Sequence, residues 1–371
     1  MSLSVLLERG PYGVPQAEKE RLLLARLNQL TARHRAGCAE YARLLAAFQG
    51  DTFRGKEPAG APSSEAASLA EVPYLSVGLF KSHRLSSVPE ADVFKTLTSS
   101  GTTGQVVSQI VLDRETARLQ TLALANIMSH LLGPQRLPML IVDTPAVLRD
   151  RKRFSARGAG ILGMMTFGRQ HCYLLDEEMR LDRTRLSAFL ERHGAEPFLI
   201  FGFTFMVWQY LYGEVEAGEL DLSQATLVHS GGWKKLSEQA VDRQEFRRCL
   251  GRRLGIARVH DFYGMVEQVG SVYLEGEDGF LYPPSFADVI VRDVSTWREA
   301  KLGEPGVIQV LSALPESYPG HAILTEDLGV VHGVDDSRCG RFGKRFSVLG
   351  RVPRAELRGC SDTHAYGRAG T

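Results

Sequence analysis

Residues 97–107 read LTSSGTTGQVV. Small hydroxyl residues and glycines are concentrated there between apolar, β-branched flanks, so the local pattern is strand, turn, strand. Ser, Thr and Gly make good turns in their own right. The same residues also bring hydroxyl donors and bare backbone N–H groups together, and concave donor arrays of that kind bind phosphate. No Gly-Lys-Ser/Thr follows, so the turn is not a Walker loop. Choosing between a plain polar turn and a pyrophosphate grip requires the sequence on either side.

Downstream, between 113 and 260, helical and strand-like runs alternate. DRETARLQTLALANIMSHLLG (with Asp113 as N-cap), DRTRLSAFLERHG, TFMVWQYLYG and SEQAVDRQEFRRCLGRRLG read as helices, whereas PMLIVDTP, PFLIFGF, QATLVHSGG and IARVHDFYG read as strands. Such alternation predicts an α/β fold with a mostly parallel sheet covered by helices. After 270 the rhythm shortens to SVYLEG, FLYP, ADVIVRD, GVIQVLS and HAILTEDLGVV, which predicts a smaller, more antiparallel β-rich subdomain. Upstream, residues 16–48 carry Leu23, Leu27, Leu30, Tyr41, Leu44 and Phe48 on one helical stripe, with Gly37 a candidate break, and 57–68 is loop-like. The expected organisation is a helical segment and loop over 1–70, an α/β core over 71–270, the β-rich subdomain over 271–350 and a short tail over 351–371.

Composition narrows the classes. With 371 residues and 44% hydrophobic content the chain can bury a sizeable core. Lys and Arg number 44 against 43 Asp and Glu, so the basic excess that nucleic-acid binding needs is missing. No apolar run reaches the ~18–20 residues of a membrane span. The opening MSLSVLLERGPYG meets an acid at once and reads poorly as a secretory leader. Five widely spaced cysteines without a CxxC fit neither a disulfide framework nor a zinc site, which points to a reducing cytoplasm.

Four further stretches carry chemistry. In HDFYGMVEQVG (260–270), Tyr263 could stack on a base and Glu267 could offer the oxygen ligand that Mg2+ prefers. In HAILTEDLG (321–329), Asp327 could accept hydrogen bonds from ribose hydroxyls. Gly350-Arg351 could bring a guanidinium to a ribose or phosphate. Cys360 follows Arg358 and precedes Ser361, Asp362 and His364; a nearby cation raises the thiolate fraction at neutral pH. Each of these, taken singly, is equally a turn, a cap or a spare thiol.

Taken in order, SSGTTG, SGG (230–232), FYGMVEQ, LTEDLG and GR resemble the motif series of the adenylate-forming ligases over about residues 70–360. LFK (79–81), SSGTTGQ, FYGMVEQ, FADVIVRD and the terminal LRGC resemble more closely the LuxE-type acyl-protein synthetases of the bacterial luminescence fatty-acid reductase. The resemblance implies the adenylate-forming N-terminal-type fold, ATP and Mg2+ as cofactors, and a fatty acid activated as acyl-AMP. It implies that Ser99, Ser100, Gly101, Thr102, Thr103 and Gly104 close over the β- and γ-phosphates, and that Gly231 and Gly232 pass beside the adenine on which Tyr263 stacks. By the same resemblance Glu267 binds Mg2+, Asp327 the ribose, Arg351 the ribose or α-phosphate region, and Cys360 takes the acyl group. An acyl reductase that forms an aldehyde is the implied partner, with an acyltransferase as a further one. GAGILGMMTFG (158–168) suits an acyl tunnel wall or plain core packing.

Departures from the family pattern are specific. Gln105-Val106-Val107 stands where most adenylate-forming ligases follow the glycine loop with Pro-Lys, and Gly350-Arg351 runs on to Val-Pro-Arg rather than to an Asp hinge. The expectation is a ligase without the full mobile C-terminal domain and its lysine, with Lys234 or Lys235 as candidate substitutes. Two other functions stay open at this point: a ligase that loads CoA or a carrier-protein thiol, and a non-catalytic nucleotide- or acyl-binding subunit of a reductase complex.

Overall fold

The computed structural model describes residues 2–50, 65–99, 107–148 and 156–352. The N-terminal stripe forms two helices, α2 (Gln16–Gly37) and α3 (Ala39–Gly50), after a short α1 (Ser2–Glu8). Gly37 is the break: a Cβ there would lie 2.8 Å from the Ser87 carbonyl oxygen, so only glycine lets the helix end against that backbone. Leu23, Leu27, Leu30 and Tyr41 are fully buried as the stripe predicts, with Leu45 rather than Leu44 completing it.

A two-residue strand β1 (Leu75–Ser76) and the single turn α4 (Leu79–Ser82) lead to an antiparallel ribbon of β2 (Lys95–Thr98) and β3 (Gln109–Leu112), in register Thr98↔Gln109. This ribbon supplies a strand on either side of LTSSGTTGQVV, whose residues 100–106 lie outside the described residues. Then follow α5 (Arg114–Leu132), β4 (Leu137–Ile141), α6 (Ala156–Met165), β5 (Gly168–Tyr173), α7 (Arg183–His193), β6 (Phe198–Phe203), α8 (Thr204–Met206), β7 (Ala225–Ser230), α9 (Arg243–Leu254) and β8 (Arg258–Tyr263). Asp113, Asp182 and Asp242 cap α5, α7 and α9 by accepting from the amides of Thr116, Arg185 and Glu245.

Two helical expectations need correction. TFMVWQYLYG continues past α8 as π-turns over Val207–Tyr212, where the Gly213 amide bonds Trp208 O and the Trp208 and Tyr212 rings stack 4.3 Å apart. SEQAVD (237–242) does not join α9, because the Asp242 cap starts that helix at Arg243.

The later strands are β9 (Tyr273–Glu275), β10 (Leu281–Tyr282), β11 (Ala287–Arg292), β12 (Pro305–Ser312), β13 (Ala322–Val334) and β14 (Lys344–Arg351). Among the described residues they join the earlier strands in one sheet ordered β11-β12-β13-β14-β10-β9-β8-β7-β6-β4-β5, with β1 added parallel to β13. Strands β5, β4, β6, β7 and β8 run parallel to their neighbours, and β8 pairs antiparallel with β9. Thus β8 is the seam between a parallel and an antiparallel half.

The parallel order reverses direction between β4 and β6, and ligands of open α/β sheets bind beyond the C-terminal ends of strands near such a switch. One core packs α2, α3, α5 and the antiparallel half, a second lies under α7, α9 and the π-turns, and a third under α6. No helix among the described residues is long and apolar enough to cross a membrane.

Candidate functional site

The foot of the glycine loop is closed by two hydrogen bonds. The Ser99 amide donates to Ser108 O at 3.2 Å, and the Ser108 amide donates to Ser99 Oγ at 2.9 Å. Ser100, Gly101, Thr102, Thr103 and Gly104 lie outside the described residues. Ser108 is fully buried, and its hydroxyl donates to Glu267 Oε1 at 2.6 Å. The glycine loop and the acid of FYGMVEQ, far apart in sequence, therefore meet through a serine.

Glu267 sits in a short 3-10 turn, Val266–Gln268, just past β8, and is 0% exposed. Its backbone is held by the Tyr318 hydroxyl, which donates to Glu267 O at 2.9 Å, and by Gln268 Nε2, which donates to Gly320 O at 2.8 Å. Its second carboxylate oxygen, Oε2, is buried with no hydrogen-bond partner among the described residues. Burying a carboxylate oxygen uncompensated costs several kcal/mol (on the order of 2–7), and a cation is the natural complement. No group of three or more metal-ligating side chains occurs among the described residues. Among the described residues a cation held here would meet one carboxylate oxygen, and Mg2+ is an ion that takes few carboxylates and keeps water and substrate oxygens.

A second contact group sits across β8, β13 and β14. Tyr263, the last residue of β8, donates its hydroxyl to Asp327 Oδ2 at 2.6 Å. Burial first, and then the Asp327 charge, push the Tyr263 phenol well above its ordinary pKa, so it stays a protonated donor. Asp327 faces Arg351 across the β13–β14 ladder, with Arg351 Nε 3.7 Å from Asp327 Oδ1 and its Nη2 3.7 Å from Glu326 Oε2. Beyond Arg351 the Val352 amide donates to Glu326 O at 2.9 Å, so the start of the tail is fastened beside the same aspartate.

Gly231 and Gly232 leave the end of β7, and Ser230 Oγ donates to Phe262 O at 3.0 Å, tying the ends of β7 and β8 together. Gly231 has φ +87°, and a Cβ there would stand 3.4 Å from the Phe203 ring, so the position favours glycine on both counts. The structure thus gathers Ser99 with Glu267, and Tyr263 with Asp327 and Arg351, with the glycine pair at the neighbouring strand end. Cys360 lies outside the described residues, and so do the side chains of Lys234 and Lys235.

The family profile of the acyl-protein synthetases, LuxE, matches residues 5–366. The chain belongs to that family. A long-chain-fatty-acid–luciferin-component ligase of Vibrio harveyi is 24% identical over 138 residues, covering 36% of this chain and 35% of that one. The enzyme of the same name from Aliivibrio fischeri is 21% identical over 282 residues, covering 71% of this chain and 70% of its own length. The first of these matches therefore spans about a third of the relative's length. Among solved structures, a 2-hydroxyisobutyryl-CoA ligase in an open conformation, in complex with its acyl-AMP and CoA, superposes with a TM-score of 0.67 at 19% identity. That match covers 95% of this chain and 79% of the other. The fold is accordingly that of adenylate-forming ligases, as the motif series implies.

Two features of this chain escape the motif reading. One is Ser108, four residues past the last loop glycine. The other is a charged cluster under Tyr263: Asp261, Glu275, Arg243, Arg247 and His229. Glu275 Oε2 accepts from the Asp261 amide at 2.9 Å and lies 3.0 Å from Arg247 Nη2, while Arg243 Nη2 is 3.6 Å from Asp261 Oδ2. Burial pushes the Asp261 carboxyl up to about 7, with the Arg243 charge opposing. Burial likewise pushes His229, whose Nδ1 is 3.0 Å from Thr204 Oγ1, down to about 3. Asp261 was visible within HDFYGMVEQVG, but its partners come from α9 and β9, and no local pattern joins them.

Proposed function

We propose that this chain activates a fatty acid with ATP as acyl-AMP and passes the acyl group to Cys360 as a thioester, for delivery to a reductase that forms an aldehyde. The observation that carries the reading is the buried Glu267 carboxylate, one oxygen taken by Ser108 at the foot of the glycine loop and the other without a hydrogen-bond partner among the described residues. A phosphate-gripping loop and a cation-ready oxygen meeting at one point is what ATP chemistry needs.

In this reading Ser99, Ser100, Gly101, Thr102, Thr103 and Gly104 hold the pyrophosphate end. Gly231 and Gly232 flank the base on which Tyr263 stacks. Asp327, steadied by the Tyr263 hydroxyl, accepts from the ribose, and Arg351 places positive charge next to it. Glu267 Oε2 holds Mg2+, which when bound screens the repulsion between two anionic reactants. A carboxylate oxygen of the acid attacks the α-phosphorus, and the bond to pyrophosphate breaks. Loop donors then stabilise the charge that builds on pyrophosphate. The Cys360 thiolate attacks the acyl carbon, and AMP leaves with the electron pair.

Geometry supports the last step. The tail starts at Val352, pinned beside Asp327. About eight residues of extended chain reach up to ~27 Å, enough for Cys360 to return to the site. The described cysteines suit the role less: Cys38 is buried, burial pushes the Cys172 thiol up to about 11, Cys249 Sγ donates to the Glu245 carboxylate, and Cys339 Sγ is hydrogen-bonded with Ser337 Oγ at 3.0 Å.

Intact-protein mass after incubation with Mg2+, ATP and medium- to long-chain fatty acids tests the reading. One acyl increment, removed by hydroxylamine and absent in Cys360→Ala, is the expected result. Pyrophosphate release only on adding CoA or a carrier protein transfers the activity to an external thiol. Neither acylation nor pyrophosphate under any condition overturns the reading.

A further inference from the structure

We propose that Ser108 is a positioning residue that aims Glu267, so that the paired ends of β2 and β3 and the cation-binding oxygen are held together. The inference rests on the Mg2+ and ATP reading above. Ser108 is 0% exposed, and its backbone is clamped on both sides: its amide donates to Ser99 Oγ at 2.9 Å and its carbonyl accepts from the Ser99 amide at 3.2 Å. With the backbone fixed, the hydroxyl has little freedom, and it donates to Glu267 Oε1 at 2.6 Å, a distance typical of a hydrogen bond to an ionised carboxylate.

From the other side Glu267 is held through its carbonyl by the Tyr318 hydroxyl, and Gly320 packs so close that a Cβ there would lie 2.9 Å from that same carbonyl oxygen. The Glu267 backbone is therefore fixed, and the Ser108 hydroxyl is what directs its carboxylate. Oε1 is filled by the serine, and Oε2 is the acceptor left over. Ser108 does two things by this geometry. It occupies Oε1, which leaves Oε2 to meet a cation, and it ties that carboxylate to the Ser99–Ser108 pair at the ends of β2 and β3. Hydrogen bonds that orient a ligating carboxylate are typically worth about 10–100-fold in metal affinity.

The test measures ATP binding to the full chain by calorimetry across a Mg2+ titration, for the wild type, Ser108→Ala and Ser108→Thr. The expected result is that Ser108→Ala moves the Mg2+ concentration giving half of the metal-dependent gain in affinity upward by about 10–100-fold. Ser108→Thr, which keeps the hydroxyl, restores most of the shift. If Ser108→Ala does not fold, Ser108→Cys, similar in size but a weak donor, takes its place with the same expectation. A variant with the wild-type Mg2+ curve and only a lower melting temperature overturns the proposal, since that is what a merely space-filling serine would give. A wild type with no Mg2+-dependent gain overturns the functional reading and this inference together, and it is distinguished because it needs no variant.

Discussion

The two halves of the sheet share β8 but are held together by different chemistry. On the parallel side, β4, β6 and β7 are almost wholly apolar and buried, from Met139 through Phe201 to Val228, and the charged groups gather only past their C-terminal ends. On the antiparallel side charge is built into the interior. Asp288 in β11 is 0% exposed, Lys19 of α2 is 1% exposed with Nζ 3.7 Å from Asp288 Oδ1, and Gln16 Nε2 donates to Asp288 Oδ2 at 2.6 Å. Lys344 Nζ donates to Val289 O and to Glu299 Oε1, both at 3.0 Å, and Arg292 donates to Gln309, Trp297 and Ala70. Apolar strands tolerate small shifts, whereas a buried ionic clamp specifies one docking of α2. The half that presents Asp327 and Arg351 is thus the one whose register is fixed by polar contacts.

The clamp is where the largest effect is expected. Asp288 is held ionised against burial by Lys19 and Lys344, with Gln16 and the Val289 amide adding hydrogen bonds. Asp288→Asn leaves two amines facing each other in the interior, and breaking a buried pair from one side costs about 3–5 kcal/mol. Urea unfolding of the variant should show that loss. An unchanged midpoint would mean that the antiparallel half is held by its apolar side chains as the parallel half is.

At the seam itself the sign reverses. Glu267→Gln keeps the shape of the side chain and removes a buried charge that lacks a partner on one oxygen. Pyrophosphate release should fall by at least about 100-fold, while the melting temperature holds or rises. Lost stability in step with lost activity would make Glu267 a structural acid like Asp288.

Both halves contain buried neutral histidines, so acid should weaken both. Burial pushes His34 down to about 3 and His260 down to about 4, and His321, stacked on His34 with ring centroids 5.0 Å apart, well below its ordinary value. Each has a folded pKa below its unfolded value near 6.5. The unfolded chain therefore binds more protons below pH 6.5, and stability, complete above that pH, falls as pH drops towards 4. One such histidine costs about 2 kcal/mol by pH 5. Replacing His34 with Gln, which can still meet Ser87 and Pro315, should flatten the pH profile of the melting temperature. A profile as steep as that of the wild type would remove His34 from the account.

How much of this was legible in the sequence follows the same division. PFLIFGF and QATLVHSGG announced themselves as strands because both faces are apolar, and Asp113 and Gly37 marked helix ends by local chemistry alone. The described candidate residues Tyr263, Glu267, Asp327 and Arg351 lie in or just past strands, so each stands in a short run that a motif can capture. The ionic clamp was not. ADVIVRD reads as an ordinary strand, and nothing near Asp288 announces a lysine on α2. Ser108 and the partners of Asp261 escaped for the same reason, since hydrogen bonds between distant segments leave no periodicity. The π-turns after α8 escaped because aromatic stacking, not propensity, selects them.

The smallest effect should come from the hydroxyl that bridges the two halves. Tyr263 ends the last parallel strand, and its hydroxyl reaches Asp327 on the antiparallel side at 2.6 Å. Tyr263→Phe keeps the ring and its packing against Tyr273 and Phe346, so any stacking on a base survives. What is lost is one hydrogen bond to a charged acceptor, worth about 1.5–3 kcal/mol. Part of that is recovered, because Asp327 is not fully buried and Arg351 lies 3.7 Å away. A net loss of about 1 kcal/mol corresponds to roughly 5-fold, and it should fall on the KM for ATP rather than on kcat, because orienting the ribose acceptor aids substrate and transition state alike. The comparison that sharpens this is 2′-deoxy-ATP: if Asp327 reads the ribose, the deoxynucleotide should lose affinity in the wild type and lose less in Tyr263→Phe. Equal losses in both would mean that the phenol steadies the strand junction and not the ribose acceptor.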